Sequence, residues 1–131
     1  DIIETNHGDW EGKPKSEIAR LWPEAYQLWA DNPSKVEFPN GEKFTSTFTR
    51  AISWFSALCQ KSGTFAVVTH SNVLMVILTH LQGLKLDAMW QFAMQPTAVT
   101  LIESHSPGKI IYFNDTSHQK GLESDLSTHA L

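Results

Sequence analysis

The alternation of apolar and polar positions changes period several times along the chain. Phe65-Ala66-Val67-Val68 is a short apolar, β-branched run, the pattern of a strand buried on both faces. It stops at Thr69-His70-Ser71-Asn72. Val73, Val76, Ile77, His80 and Leu81 then recur at helical spacing, and Gly83 supplies a stop. Upstream, Phe44, Phe48, Ile52, Phe55 and Leu58 step by four, four, three and three, which predicts an amphipathic helix from about Glu42 to Lys61, ended by Ser62-Gly63. Lys13–Trp29 is helical in pieces, with Ser16 as N-cap, Ile18, Leu21 and Trp22 on one face, and Pro23 interrupting before Tyr26 and Trp29. Asp31–Gly41, rich in Pro, Asn and Gly, reads as a loop. Lys85–Trp90 reads as a short helical turn, and Thr97–Glu103 and Lys109–Phe113 as an edge hairpin around Ser104–Gly108. Asp115–Leu131 is polar and predicts a tail, docked in part through His118. Helix, turn, strand and helix in succession form an αβα unit. The expected class is α/β, a three-layer α/β/α sandwich with a mixed sheet.

This order places His70 at the carboxyl end of a strand and just before a helix, where ligands bind in open α/β sheets. The first helix amides, around Asn72 and Val73, would offer N–H groups and the positive end of the helix dipole to an anion. Two readings stand side by side: a phosphate or carboxylate site, or a histidine that only ends a strand. Ile2-Ile3 could likewise close a strand and deliver Glu4 at its end, either as an acid–base group or as a solvated carboxylate. Asp9, Glu11 and Glu42 are the other acid–base candidates. Trp22, Tyr26 and Trp29 form either a lid or ordinary core.

Composition narrows the function classes. The chain is long enough for one domain with a core, and its net charge of −4 without a basic stripe argues against nucleic acid as a partner. No apolar run reaches membrane-spanning length and no signal peptide opens the chain. A lone cysteine, Cys59, excludes an internal disulfide, reads as a small buried hydrophobe on a helix face, and fits a cytoplasmic setting. The six histidines do not sort into metal-ligand spacing, so no metal is expected; His105 and His129 receive no role. Asp1-Ile2-Ile3 enters structured sequence without an initiator methionine, as expected for the middle of a gene product, a processed chain or a cut one.

Four segments carry a resemblance. Ile3-Glu4-Thr5-Asn6-His7-Gly8-Asp9-Trp10-Glu11-Gly12 resembles the E-x-x-x-G-x-W-E-G segment of the histidine phosphatase (phosphoglycerate-mutase-like) superfamily. Pro39-Asn40-Gly41-Glu42 resembles its P-x-G-E helix entrance, Val67–Val73 its second-histidine segment, and Asn114-Asp115-Thr116-Ser117-His118 its usual ending. They occur in the family's order over residues 2–118, leaving 119–131 as tail. Within the superfamily, Ala25-Tyr26, Asn40–Phe44, Phe48-Thr49-Arg50 and Met89–Phe92 look most like α-ribazole phosphatases.

The resemblance implies metal-free, cofactor-free hydrolysis of a small phosphorylated metabolite through a phosphohistidine. His70 would bind the phosphoryl oxygens, Glu4 would protonate the leaving alkoxide and then deprotonate water, and the Ser71 amide would add a phosphate contact. The sequence departs widely from the pattern: it contains no Arg-His-Gly, the family's nucleophile motif, the early segment carrying a further phosphate-binding arginine is missing as well, and Arg20 and Arg50 match neither position. The sandwich is therefore expected to be incomplete, with the first strands and that motif absent. Pairing with another copy or with a missing N-terminal segment would cover the exposed sheet. The alternative is a catalytically silent module that binds a phosphorylated ligand or self-associates. A mutase rests on the shared fold alone.

Overall fold

The computed structural model describes residues 1–104 and 108–122. A 3-10 turn, Gly8–Trp10, comes first, followed by two short α-helices, α1 (Lys15–Leu21) and α2 (Pro23–Asp31). Trp22 breaks the helical path at φ −134°, ψ 60° because Pro23 disfavours helical geometry in the residue before it and itself suits the first position of α2. Pro14, not Ser16, stands at the N-cap of α1, and Ser16 lies inside the helix. Trp29 is buried and packs edge-to-face with Phe38, Phe44 and Trp90 at ring distances of 5.2, 4.8 and 4.9 Å. Trp22 and Tyr26 lean on the same cluster, so these aromatics are core and not a lid.

The amphipathic pattern becomes α3 (Phe44–Cys59), starting two residues later than the periodicity predicts. Its buried side is Phe44, Thr47, Ala51 and Phe55, with Phe48, Ile52 and Cys59 partly covered at the margin. α4 (Ser71–Leu81) buries Asn72, Val73 and every residue from Met75 to Thr79, so it is enclosed on nearly all sides. His80, expected on its apolar face, is exposed beside Phe48. Gly83 ends α4 at φ +67°, donating to the His80 carbonyl at 2.9 Å, while Leu84 donates to Thr79 at 3.1 Å. This reciprocal pair satisfies the last helical carbonyls and needs a left-handed residue, which glycine adopts without penalty.

A 3-10 turn, Leu86–Phe92, leads to the hairpin of β1 (Val99–Glu103) and β2 (Lys109–Asp115), antiparallel with Ile102 opposite Ile110 and Glu103 opposite Lys109. The tip residues 105–107, with His105, and the tail residues 123–131, with His129, lie outside the described residues. The segment after β2 docks through Gln119, whose side-chain amide donates to the Pro96 carbonyl at 2.6 Å, and not through His118, which is exposed.

The class is α/β as expected, but the predicted central strand differs in detail. Phe65–Val68 belongs to no sheet ladder among the described residues, and neither does Ile2-Ile3; the described sheet is the hairpin alone. Val68 is 92% exposed, where the pattern predicts burial on both faces. The physical reason is that a strand cannot satisfy its own backbone. Without neighbours at ladder distance its apolar side chains have nothing to pack on.

Candidate functional site

The site is built on two loops that approach backbone to backbone. Residues 4–12 fold over Pro39–Glu42: the Asp9 amide donates to the Pro39 carbonyl at 2.8 Å and the Glu42 amide to the Asn6 carbonyl at 2.9 Å. The Asn40 side-chain amide reaches the Asp9 carboxylate at 2.9 Å. This approach explains both glycines. A Cβ on Gly8, at φ +57°, would collide with the Pro39 carbonyl oxygen, and one on Gly41 would collide with that of Asn6. The first two motifs of the sequence are thus the two halves of one contact.

Arg50, from the second turn of α3, grips the first four residues. Its guanidinium donates to the carbonyls of Asp1 (2.8 Å), Ile3 (2.6 Å) and Glu4 (3.0 Å) and pairs with Glu42 at 2.9 Å. Glu42 also accepts from the Asn6 amide at 2.8 Å. Partial burial by itself would raise the Glu42 pKa. Hydrogen bonds from Arg50 and the Asn6 amide, with the Arg50 charge, outweigh it and hold Glu42 below the usual carboxylate value. Arg50 fits no phosphate-binding position in the sequence pattern, and the structure gives it a different task. It satisfies backbone carbonyls that a neighbouring strand would otherwise hold.

Two cross-links then join this segment to the start of α4. The Thr69 hydroxyl donates to the Ile2 carbonyl at 2.7 Å, and the Asn72 side-chain amide meets His7 Nε2 at 3.1 Å. Glu4 lies between Ile2 and His7; His70 and Ser71 lie between Thr69 and Asn72. The structure therefore runs the two predicted site segments side by side. Glu4 is half-buried, with its carboxylate accepting the Thr5 amide at 2.8 Å, and His70 is exposed at the N-cap of α4 in extended geometry. Ser71 is the first residue of α4, in the turn whose amides have no intrahelical acceptor. The remaining acid–base candidates are engaged structurally: Asp9 with Asn40, Glu11 with the His7 amide, Glu42 with Arg50.

His7 and Asn72 are the residues that sequence reasoning missed. Both are buried, at 3% and 1% exposure. Burial lowers the His7 pKa from 6.5 to about 4, against the opposing charges of Glu11 and Glu42. No hydropathy signal marked His7 or Asn72: Thr5, Asn6 and His7 are all polar, and the inward turn of Thr5 and His7 on either side of an exposed Asn6 is set by the fold. Among the described residues, no group of three His, Cys, Asp or Glu side chains is placed to hold a metal ion, and no helix is long and apolar enough to cross a membrane.

An exposed histidine at a helix N-cap, alongside a half-buried carboxylate on a clamped extended segment, can bind an oxyanion and exchange a proton near it. The chain belongs to the histidine phosphatase superfamily (branch 1), whose family model matches residues 1–116. It is 28% identical over 120 residues to phosphoserine phosphatase 1 of Hydrogenobacter thermophilus, covering 89% of this chain and 57% of that protein. It is also 28% identical over 94 residues to the adenosylcobalamin/alpha-ribazole phosphatase of Escherichia coli, covering 70% of this chain and 46% of that one. Among solved structures, Bacillus stearothermophilus YhfR superposes with a TM-score of 0.77 at 29% identity, over 88% of this chain and 59% of that one. The alpha-ribazole phosphatase of Shigella flexneri shares the fold with a TM-score of 0.72 at 23% identity, over 86% and 57%. The chain thus spans about half to three-fifths of the length of the curated relatives it matches.

Proposed function

We propose that this chain carries the acid and second-histidine side of a phosphomonoesterase site acting on a small phosphorylated metabolite, of the α-ribazole phosphatase type. The observation that carries this reading is the pair of cross-links, Ile2 to Thr69 and His7 to Asn72, that runs the Glu4 segment beside His70 and Ser71. His70 and the Ser71 amide donate to phosphoryl oxygens and stabilise the charge spread over them as phosphorus is transferred. Glu4 gives its proton to the leaving alkoxide and takes one from the water that follows. No metal or cofactor enters this scheme.

The nucleophile comes from elsewhere in this reading, since the chain contains no Arg-His-Gly. The open Phe65–Val68 edge, with Phe65, Val67 and Val68 exposed, is where a strand bearing that motif, or a second copy of the chain, would pair. A second reading is a module that holds a phosphorylated ligand without turning it over, for which the exposed His70 at the start of α4 would suffice.

Orthophosphate binding and p-nitrophenyl phosphate turnover by the 131-residue chain, with His70→Ala alongside, separate the two. Binding without turnover, weakened by His70→Ala, supports the site and leaves the nucleophile to be supplied in trans. Addition of a polypeptide carrying the Arg-His-Gly segment then restores turnover under the first reading and not under the second. Equal binding by His70→Ala removes His70 from the site. In the reconstituted enzyme, Glu4→Gln slows esters with poor leaving groups most, and equal losses across leaving groups rule out Glu4 as the acid.

A further inference from the structure

His7 is a buried titratable group that the proposed chemistry does not use. Its ring packs edge-on against Phe38 at 4.7 Å and against Trp29 at 6.1 Å, shut away from solvent and from any substrate in the exposed His70 region. Its polar contact on the α4 side is Asn72, which is itself almost fully buried. With the Asn72 side-chain amide donating, Nε2 is the acceptor and the ring proton sits on Nδ1, so a neutral imidazole is required. Glu11 and Glu42 face the ring electrostatically and favour its protonation, yet burial prevails and keeps the imidazole neutral at physiological pH.

We infer that His7 is a positioning residue, whose hydrogen bond to Asn72 fixes the first turn of α4, and with it the Ser71 amide and His70, against the Glu4 segment. The inference rests on the proposed phosphate site and adds the device that holds its two halves in register. The Thr69–Ile2 bond ties the segments at one end only. A single tie leaves the helix start free to pivot, whereas a second tie beyond Glu4 and Ser71 removes that freedom. Catalytic groups need their separation held within about 0.5 Å, and a bond between two buried partners meets that need because each would be left unsatisfied if the segments parted. The aromatic walls of Phe38 and Trp29 fix the ring plane, so the acceptor lone pair has one direction.

The test uses the 131-residue chain at pH 7 and four variants, His7→Phe, His7→Gln, Asn72→Ala and the His7→Phe/Asn72→Ala double. The readouts are amide ¹H–¹⁵N spectra and orthophosphate titrations. His7→Phe keeps the ring contacts and removes the acceptor, whereas His7→Gln keeps an acceptor. The Ser71 and Val73 amide resonances move in His7→Phe and return toward their original positions in His7→Gln. Orthophosphate binding weakens about tenfold in His7→Phe, the equivalent of one lost hydrogen bond, and recovers in His7→Gln. The double variant binds no more weakly than either single one, because the two residues act through each other. Unmoved Ser71 and Val73 amides in a folded His7→Phe variant overturn the inference, as does unchanged phosphate affinity. If the unmutated chain binds no orthophosphate, the proposed site fails on its own account. The amide shifts and their rescue by His7→Gln then still decide whether His7 sets the start of α4.

Discussion

α4 and the residues that lead into it are similarly apolar and lie only a few positions apart, yet they meet opposite fates. Leu78 in α4 is fully buried, whereas Val68 is 92% exposed. Composition cannot separate them; backbone accounting does. A helix closes its own hydrogen bonds, so α4 needs only side-chain neighbours, and α3 and the 86–92 turn supply them. An extended segment needs a second chain segment at ladder distance before its side chains find a surface. Arg50 shows the same economy on a small scale: one guanidinium takes over the carbonyls of Asp1, Ile3 and Glu4.

The contrast can be broken by mutation. Leu78→Ala removes side-chain volume from a closed environment and is expected to cost roughly 2–5 kcal/mol, read as a lower urea midpoint at unchanged slope. Acidification comes next. His7 has a folded pKa of about 4 against 6.5 in the unfolded chain, so between these values the unfolded state binds more protons. Stability from this group is therefore complete above about pH 6.5 and falls as pH drops toward 4, by at most about 3 kcal/mol. His7→Phe flattens that part of the urea-midpoint profile, and a profile of unchanged slope in the variant assigns the loss to other groups. Glu42, held below its usual pKa, adds stability that persists at higher pH and disappears only below the ordinary carboxylate range.

Arg50→Met strips several carbonyls of their donor and leaves the half-buried Glu42 without its ion-pair partner, though still bonded to the Asn6 amide. We expect a loss of about 2 kcal/mol, with faster amide hydrogen exchange through residues 2–6 than in α4; uniform acceleration across both regions would show that Arg50 supports the core as a whole. Val68→Ser has the smallest effect, within about 0.5 kcal/mol for a side chain that touches little. A larger loss that grows with protein concentration would reveal that a second copy covers Phe65–Val68 in solution, and would sharpen the contrast by naming the missing neighbour.

Local pattern was enough for much of this fold. The heptad-like steps from Phe44 to Phe55, the Pro23 break and the Gly83 stop are encoded within a few residues, because helix periodicity, proline geometry and left-handed glycine act over one or two turns. Glu4 and His70 were singled out by pattern, although the segments before them, read as strands, join no described ladder; Ser71 stands at the helix start as read. Their mutual placement was not legible, because it depends on bonds joining positions some 65 residues apart in sequence, Asn72 to His7 and Thr69 to Ile2. Gly8 and Gly41 read as turn residues until the structure shows that each makes room for the other's loop. The burial of His7 and the exposure of Val68 were likewise decided in three dimensions. Sequence by itself determined where the α-helices form. Tertiary structure alone decided which polar group is stripped of water and which apolar one is left in it, since both depend on what the distant chain brings alongside.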